Sequence, residues 1–167
     1  MLRNAGDGER ALAVVNLALD EVDPDTVDPR MHARLLRDKA YYMMNLGRSG
    51  PIQLLQQSLE ILERQVDDDR LRASVLNQLA SRYMIAGRLD EAIALATEAG
   101  ERAERVGADD EASIAANVRG GARAHLGDLE AGHREYAAAL DLARGANPEM
   151  RYRVNYSDLL GVVDAIS

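Results

Sequence analysis

Apolar and small residues recur along this chain at the spacing of amphipathic helices. The clearest stretch covers residues 73–99, where two helical patterns flank Gly87. The first pattern contains Leu76, Leu79, Ala80 and Tyr83, and the second contains Ala92, Ala96 and Ala99. Small residues at this spacing suit two antiparallel helices that cross closely, while larger residues fill the space beside the crossing. The pattern therefore predicts a helical hairpin with a tight turn at Gly87.

The hairpin pattern recurs at an interval of 40 residues. The aligned glycines are Gly47, Gly87 and Gly127, the first helices align at Ala40, Ala80 and Gly120, and the second helices align at Leu59, Ala99 and Ala139. One hairpin cannot bury its apolar face alone, so neighbouring hairpins are expected to stack. The predicted fold is an all-α, right-handed superhelical solenoid of antiparallel hairpins, with about seven to eight helices.

The chain is predicted to be a single domain that spans residues 1–167. Full repeats are predicted at 30–66, 70–106 and 110–145, flanked by the second helix of a truncated repeat at 4–21 and the first helix of another at 149–166. In the last segment Leu159, Val163 and Ile166 would have no partner helix. The chain is therefore expected either to be a segment of a longer repeat protein or to form a homodimer through its exposed terminal helices.

The hairpin pattern resembles the tetratricopeptide (TPR) repeat. The resemblance rests on Leu76-x2-Leu79-Ala80-x2-Tyr83, then Gly87, then Ala92-x3-Ala96-x2-Ala99, although the period of 40 residues is longer than the common one of about 34. The stretch 153–160 is also similar to the repeat regions of large LuxR-type, ATP-binding transcriptional regulators of actinobacteria. This resemblance implies an interaction or signal-sensing region of a bacterial transcriptional regulator. The chain itself contains neither a nucleotide-binding loop nor a DNA-reading module.

In TPR arrays the first helices line the concave face, where ligands usually lie. The resemblance therefore implies a ligand groove lined by Arg37, Tyr41, Asn77, Ser81, Asn117 and His125. Asn77 and Asn117 match the asparagine type that peptide-clamping members use to hold a carboxylate, but the accompanying lysines are absent. Asparagine supplies both a donor and an acceptor, and Arg37 suits a carboxylate. The alternative is a solvated polar groove without a ligand, since any repeat array generates rows of residues.

Two arginines stand where the central hairpin has apolar residues. Arg119 and Arg123 align with Leu79 and Tyr83. Three interpretations are open: their stems cover apolar surface with the charged ends in water, they pair with acids such as Glu91 or Glu135, or they form an anion site. His125 and His133 flank the turn at Gly127, but two histidines without an acidic third ligand are a weak metal signal, and no metal is predicted.

Composition limits the classes of function. The net charge of −8 argues against a nucleic-acid surface, and the absence of cysteine excludes disulfides and thiol chemistry. No apolar run is long enough to cross a membrane, and the N-terminus lacks a signal-peptide pattern, so a cytoplasmic location without membrane contact is expected. No cofactor site is predicted.

The predicted function is a non-enzymatic protein or peptide interaction scaffold. The partner would lie on the concave face, and the parent protein would be a bacterial regulator. The alternative is a small-molecule effector-sensing domain of such a regulator. Enzymatic activity is not expected, because no acid–base or nucleophile constellation stands out.

Overall fold

A computed structural model describes residues 2–23 and 26–146, and within these ranges it contains seven α-helices and no strand. The helices are α1 (Leu2–Asp20), α2 (Pro29–Asn45), α3 (Pro51–Gln65), α4 (Asp69–Ile85), α5 (Leu89–Arg105), α6 (Asp109–His125) and α7 (Leu129–Ala146). The all-α prediction is confirmed for this part of the chain. The predicted helix at 149–166 lies outside the described residues.

Aspartates begin three of these helices. The Asp28 carboxylate accepts a hydrogen bond from the Arg30 N–H at 2.9 Å, before Pro29 at the first position of α2. Asp68 accepts from the Leu71 N–H at 2.9 Å, and Asp128 accepts from the Ala131 N–H at 3.1 Å. Each carboxylate satisfies an N–H that has no partner inside its helix, and its charge suits the positive end of the helix dipole.

Glycines with positive φ end four of the helices. These glycines are Gly47, Gly87, Gly107 and Gly127, and their φ angles lie between 63° and 87°. A residue with a side chain would be strained in this conformation. At Gly87 the Arg88 N–H donates to the Tyr83 carbonyl at 2.9 Å, and the Gly87 N–H donates to the Met84 carbonyl at 3.0 Å. This pair of bonds is a Schellman motif, and the same pair recurs at the other three glycines. The predicted turns are therefore confirmed at Gly47, Gly87 and Gly127.

The chain divides into two compact units, Met1–Leu71 and Arg72–Ser167. In the first unit α2 packs against both α1 and α3. Its buried apolar residues include Leu12, Ala33, Leu36, Ala40, Leu55 and Leu62. The alanines of α2 permit close approach, and the leucines fill the space between the helices.

The buried face of α3 includes a polar residue. Leu59, which aligns with Ala99 and Ala139 in the sequence, is half-buried, whereas the neighbouring Ser58 is fully buried. The Ser58 hydroxyl donates to the Ala33 carbonyl on α2 at 2.7 Å. The small side chain of Ser58 fits this crossing. Its burial leaves no polar group unsatisfied, because the hydroxyl is hydrogen-bonded.

The second unit is built mainly on alanine and glycine. One buried cluster joins Ala80 of α4, Ala96 of α5 and Val118 of α6. Between α6 and α7 the approach is closest at two glycines, because a Cβ atom added to Gly132 would lie 3.0 Å from the Gly120 carbonyl oxygen. Ser113 on α6 donates to the Ala139 carbonyl on α7 at 2.8 Å. These small residues let helix backbones approach closely and fix the position of α6 between α5 and α7.

None of the helices in the described ranges has the length and apolar character needed to cross a membrane.

Candidate binding face on α4 and α6

Helices α4 and α6 carry corresponding residues four apart along one side. These residues, which we call the amide face, are Asn77, Ser81 and Ile85 on α4 and Asn117, Gly121 and His125 on α6. Residues at this spacing lie above one another on a single side of a helix. The face therefore contains four of the six predicted groove residues, and all four belong to the second unit.

The buried end of the amide face is a link between the two helices. Asn77 is only 2% exposed. Its side-chain amide donates to the Glu111 backbone carbonyl at 3.0 Å and to the Glu111 carboxylate at 2.9 Å. The Ser81 hydroxyl donates in turn to the backbone carbonyl of Asn77 at 2.9 Å. The donor side of Asn77 is thus used within the fold to join α4 to the first turn of α6.

The side-chain oxygens of the two asparagines on this face accept no hydrogen bond from the residues that the structure describes. The Oδ1 atoms of Asn77 and Asn117 are buried from solvent, and neither has a hydrogen-bond partner within those residues. A buried acceptor without a partner costs about 1–3 kcal/mol. Native proteins leave few such groups, so each one marks a place where a donor is expected.

Exposure increases along the face towards the C-terminal ends of α4 and α6. Ser81 and Asn117 are half-buried, whereas Ile85 is 70% exposed and His125 is exposed in the last turn of α6. Between them Gly121 lies under Met84, because a Cβ at Gly121 would stand 2.9 Å from the Met84 sulfur. The face therefore runs from a buried amide to an exposed apolar side chain.

The other two predicted groove residues lie on α2 in the first unit. Arg37 is held by its neighbour, since its Nε donates to the Asp38 carboxylate at 3.0 Å and its side chain is 20% exposed. Tyr41 is 37% exposed and packs edge-on against Tyr42, with 5.4 Å between the ring centroids. Both residues share one side of α2, where Tyr41 offers part of its ring to solvent.

A charged cluster surrounds the turn between α4 and α5. The Arg88 guanidinium lies 3.9 Å from the centre of the Tyr83 ring, and its Nε donates to the Glu91 carboxylate at 2.7 Å. This hydrogen bond lowers the pKa of Glu91 and raises the pKa of Arg88. A lowered carboxyl pKa favours the charged form, so this contribution to stability is present above the pKa of Glu91 in the unfolded chain. It is lost as the pH falls through the folded-state pKa.

The structure distinguishes among the three interpretations of Arg119. Arg119 forms two hydrogen bonds to the Glu135 carboxylate, at 3.0 Å from Nε and 2.8 Å from Nη2. It also donates to the Ala96 carbonyl at 3.3 Å. The predicted pairing with Glu135 is confirmed, whereas Glu91, the other predicted partner, is bound to Arg88.

Comparison with known proteins assigns no family to this chain. No protein-family model matches the chain, and a search of curated proteins finds no match. Within the described residues no three His, Asp or Glu side chains are grouped so that they could hold a metal ion.

Two features of the amide face were missed by sequence reasoning. Glu111 was not among the predicted groove residues, but its carboxylate binds Asn77. Ile85 was not among them either, although it is 70% exposed. A signal for Ile85 was present, because it follows Asn77 and Ser81 at a spacing of four residues. No local signal pairs Glu111 with Asn77, which lies 34 residues earlier.

Proposed function

We propose that the chain is a non-enzymatic scaffold that binds a protein or peptide segment on the amide face. The observation that carries this proposal is the acceptor Asn117 Oδ1, which has no hydrogen-bond partner among the described residues and belongs to a half-buried side chain of α6. A peptide backbone presents N–H donors, which are the partners that this acceptor lacks.

The remainder of the amide face suits the same partner. Ile85 offers an exposed apolar surface beside the polar residues, and His125 offers a ring that both donates and accepts hydrogen bonds. A bound segment would thus gain apolar burial at one end and hydrogen bonds at the other. Asn117 is half-buried but its Oδ1 is covered, so binding at this atom requires the amide to turn towards solvent.

The sequence periodicity supports a wider architecture for this scaffold. We infer that the hairpins form a TPR-like solenoid, in which α4 and α6 are first helices on the concave face. The resemblance to LuxR-type regulators supports a role as the interaction region of a bacterial transcriptional regulator. In that setting the bound segment would belong to another domain or to a partner protein.

Peptide selection followed by direct binding measurement tests the proposal. A display library of random 12-residue peptides is selected on the purified chain, and the affinity of a selected peptide is measured by fluorescence anisotropy. Asn117→Ala and Ser81→Ala should each weaken binding about fivefold to tenfold, since a hydrogen bond contributes about 1 kcal/mol. Gln57→Ala, an exposed amide on α3, is the matched control and should leave the affinity within about twofold.

Thermal unfolding of each variant separates lost binding from lost structure. Selected peptides that bind the Asn117 and Ser81 variants as tightly as the parent chain would remove the amide face as the binding site. Failure to select any peptide above background would count against peptide recognition by this chain.

A further inference from the structure

A cavity of about 340 Å³ lies beside the first turns of α7, on the side of α6 away from the amide face. It is lined by Arg123 of α6 and by Ala131, Arg134 and Glu135 of α7. Its volume falls at the lower end of the range for small-molecule sites. Two of its four lining residues carry a guanidinium group, so its chemistry is that of an anion-binding pocket.

Among the described residues that line the cavity, one carries a carboxylate, and a deeper arginine already binds it. Arg119 binds one oxygen of Glu135, Oε2, through both Nε and Nη2. The arginine is seated over Gly100 of α5, where a Cβ atom would stand 2.8 Å from Nη1. The Arg119 side chain is 19% exposed and that of Glu135 is 20% exposed, so most of this ion pair is shielded from water. Arg119 therefore neutralises much of the negative charge that Glu135 would otherwise present to the cavity.

Arg123 lacks an equivalent partner. Its Nε lies 3.7 Å from Glu135 Oε1, beyond hydrogen-bond distance, and within the described part of the chain this buried nitrogen has no hydrogen-bond partner. The Arg123 side chain as a whole is 36% exposed, so the rest of its guanidinium reaches the cavity. An anion placed there would meet the exposed end of the Arg123 guanidinium and not its buried Nε, which faces Glu135.

Arg134 supplies a second cation at the rim. Its Nη1 lies 2.6 Å from Glu130 Oε1, but these side chains are 65% and 89% exposed, and such a surface pair is weak and screened. The cavity is surrounded by three arginines, Arg119, Arg123 and Arg134, and by three carboxylates, Asp128, Glu130 and Glu135. An anion would therefore be held by the geometry of the guanidinium groups and not by an excess of positive charge.

We propose that this cavity binds a small oxyanion, a carboxylate or phosphate group of a metabolite, between Arg123 and Arg134. The guanidinium of Arg123 would bind it edge-on, since a planar fork of N–H groups matches the geometry of both anions. The first N–H groups of α7 do not serve this ligand, because Asp128 already accepts from the Ala131 N–H. The small side chain of Ala131 leaves room for the anion.

This anion site is independent of the peptide-binding function proposed for the amide face. Arg119 and Arg123 lie on the opposite side of α6 from Asn117 and His125, because residues two apart on a helix point about 200° from each other. The ligand class is the one that the effector-sensing alternative from the sequence would require. Either function can therefore be present without the other.

Isothermal titration calorimetry in a buffer free of phosphate and carboxylate tests the site. Inorganic phosphate and succinate are titrated separately into the full chain. Arg123→Gln should weaken binding about tenfold or more, whereas Arg123→Lys, which retains the charge but not the planar fork, should lose less. The matched control Arg64→Gln removes an exposed arginine that is paired with Glu60 within α3, and should bind like the parent chain.

The outcomes separate the ligand sources and the two proposed sites. Binding of phosphate alone assigns a phosphorylated ligand, and binding of succinate alone assigns a carboxylate; binding of both assigns an unselective oxyanion site. Heat release that persists in a folded Arg123→Gln variant, or no heat from either anion with the parent chain, would overturn the inference. The peptide-binding variant Asn117→Ala should titrate like the parent chain, so loss of one function is distinguishable from loss of the other.

Discussion

At the scale of single residues, the role of a polar side chain in this protein depends on the groups to which it is hydrogen-bonded. Asn77 and Asn117 occupy corresponding positions of α4 and α6, yet Asn77 is nearly inaccessible and is bound to Glu111. Asn117 is half-buried. The amide of Asn77 is therefore part of the structural link between two helices, whereas no hydrogen bond in the described residues engages the Oδ1 of Asn117. Identical residue types thus contribute differently to the amide face.

The link between Asn77 and Glu111 gives the first stability prediction. Asn77→Asp replaces the donor with a carboxylate 2% exposed to solvent and turns it towards the Glu111 carboxylate. Loss of the hydrogen bond and repulsion between like charges should lower the free energy of unfolding by about 2–4 kcal/mol. Urea denaturation at neutral pH measures this change.

An exposed amide provides the matched comparison. Gln57→Glu makes the same chemical change on the surface of α3 and should alter the free energy of unfolding by no more than about 0.5 kcal/mol. Equal midpoints for the Asn77 and Gln57 variants would show that the amide of Asn77 does not hold α4 to α6.

At the scale of helices, the second unit depends on close backbone contact more than on large side chains. Alanine and glycine dominate the contacts of α5, α6 and α7, and few large side chains are available to fill gaps. Close contact of this kind is sensitive to any added atom, because the backbone on the opposite helix cannot move aside as a flexible side chain can.

Gly132→Ala should therefore destabilise the protein. The new methyl group would stand 3.0 Å from the Gly120 carbonyl oxygen and 3.3 Å from the Ala124 side chain. We expect a loss of about 1–3 kcal/mol in the free energy of unfolding, despite the higher helix propensity of alanine. Gly6→Ala in α1 is the control, because nothing lies within 4 Å of its added methyl group, and it should gain up to about 1 kcal/mol. A stabilising effect at both glycines would mean that α6 and α7 are not in close contact.

At the scale of the whole molecule, exposed apolar residues of the described helices allow the predicted self-association to be tested. Val14 and Leu17 of α1 are each 65% exposed and lie three residues apart, on one side of the helix. The sequence predicts a homodimer through the terminal helices, and α1 is the terminal helix that the structure describes. The homodimer stays a prediction, and Val14 and Leu17 are the residues at which it can be tested on α1.

Light scattering over a concentration series measures this association. We expect the mass of the parent chain to rise above 18.2 kDa with concentration, and that of the double variant Val14→Glu, Leu17→Glu to stay at the monomer value. The melting temperature of that variant should change little, because both side chains are largely exposed. Val106→Glu, at a residue 50% exposed after α5, is the control and should associate like the parent. A parent chain that remains monomeric throughout would contradict association through α1.

The sequence alone determined the features that depend on neighbouring residues. Helical spacing placed the helices, and Gly47, Gly87 and Gly127 placed turns that need positive φ. These features follow from interactions within a few residues, which a local pattern records.

Only the tertiary structure decided which of several suitable residues meet. It placed Ser58 rather than Leu59 at the crossing of α3 with α2, because a small, hydrogen-bonded side chain fits there. It paired Arg119 with Glu135, and it buried Asn77 against Glu111. These choices depend on distances between helices that are remote in sequence, and a helical pattern specifies which face is apolar without specifying the residue that the opposing helix contacts.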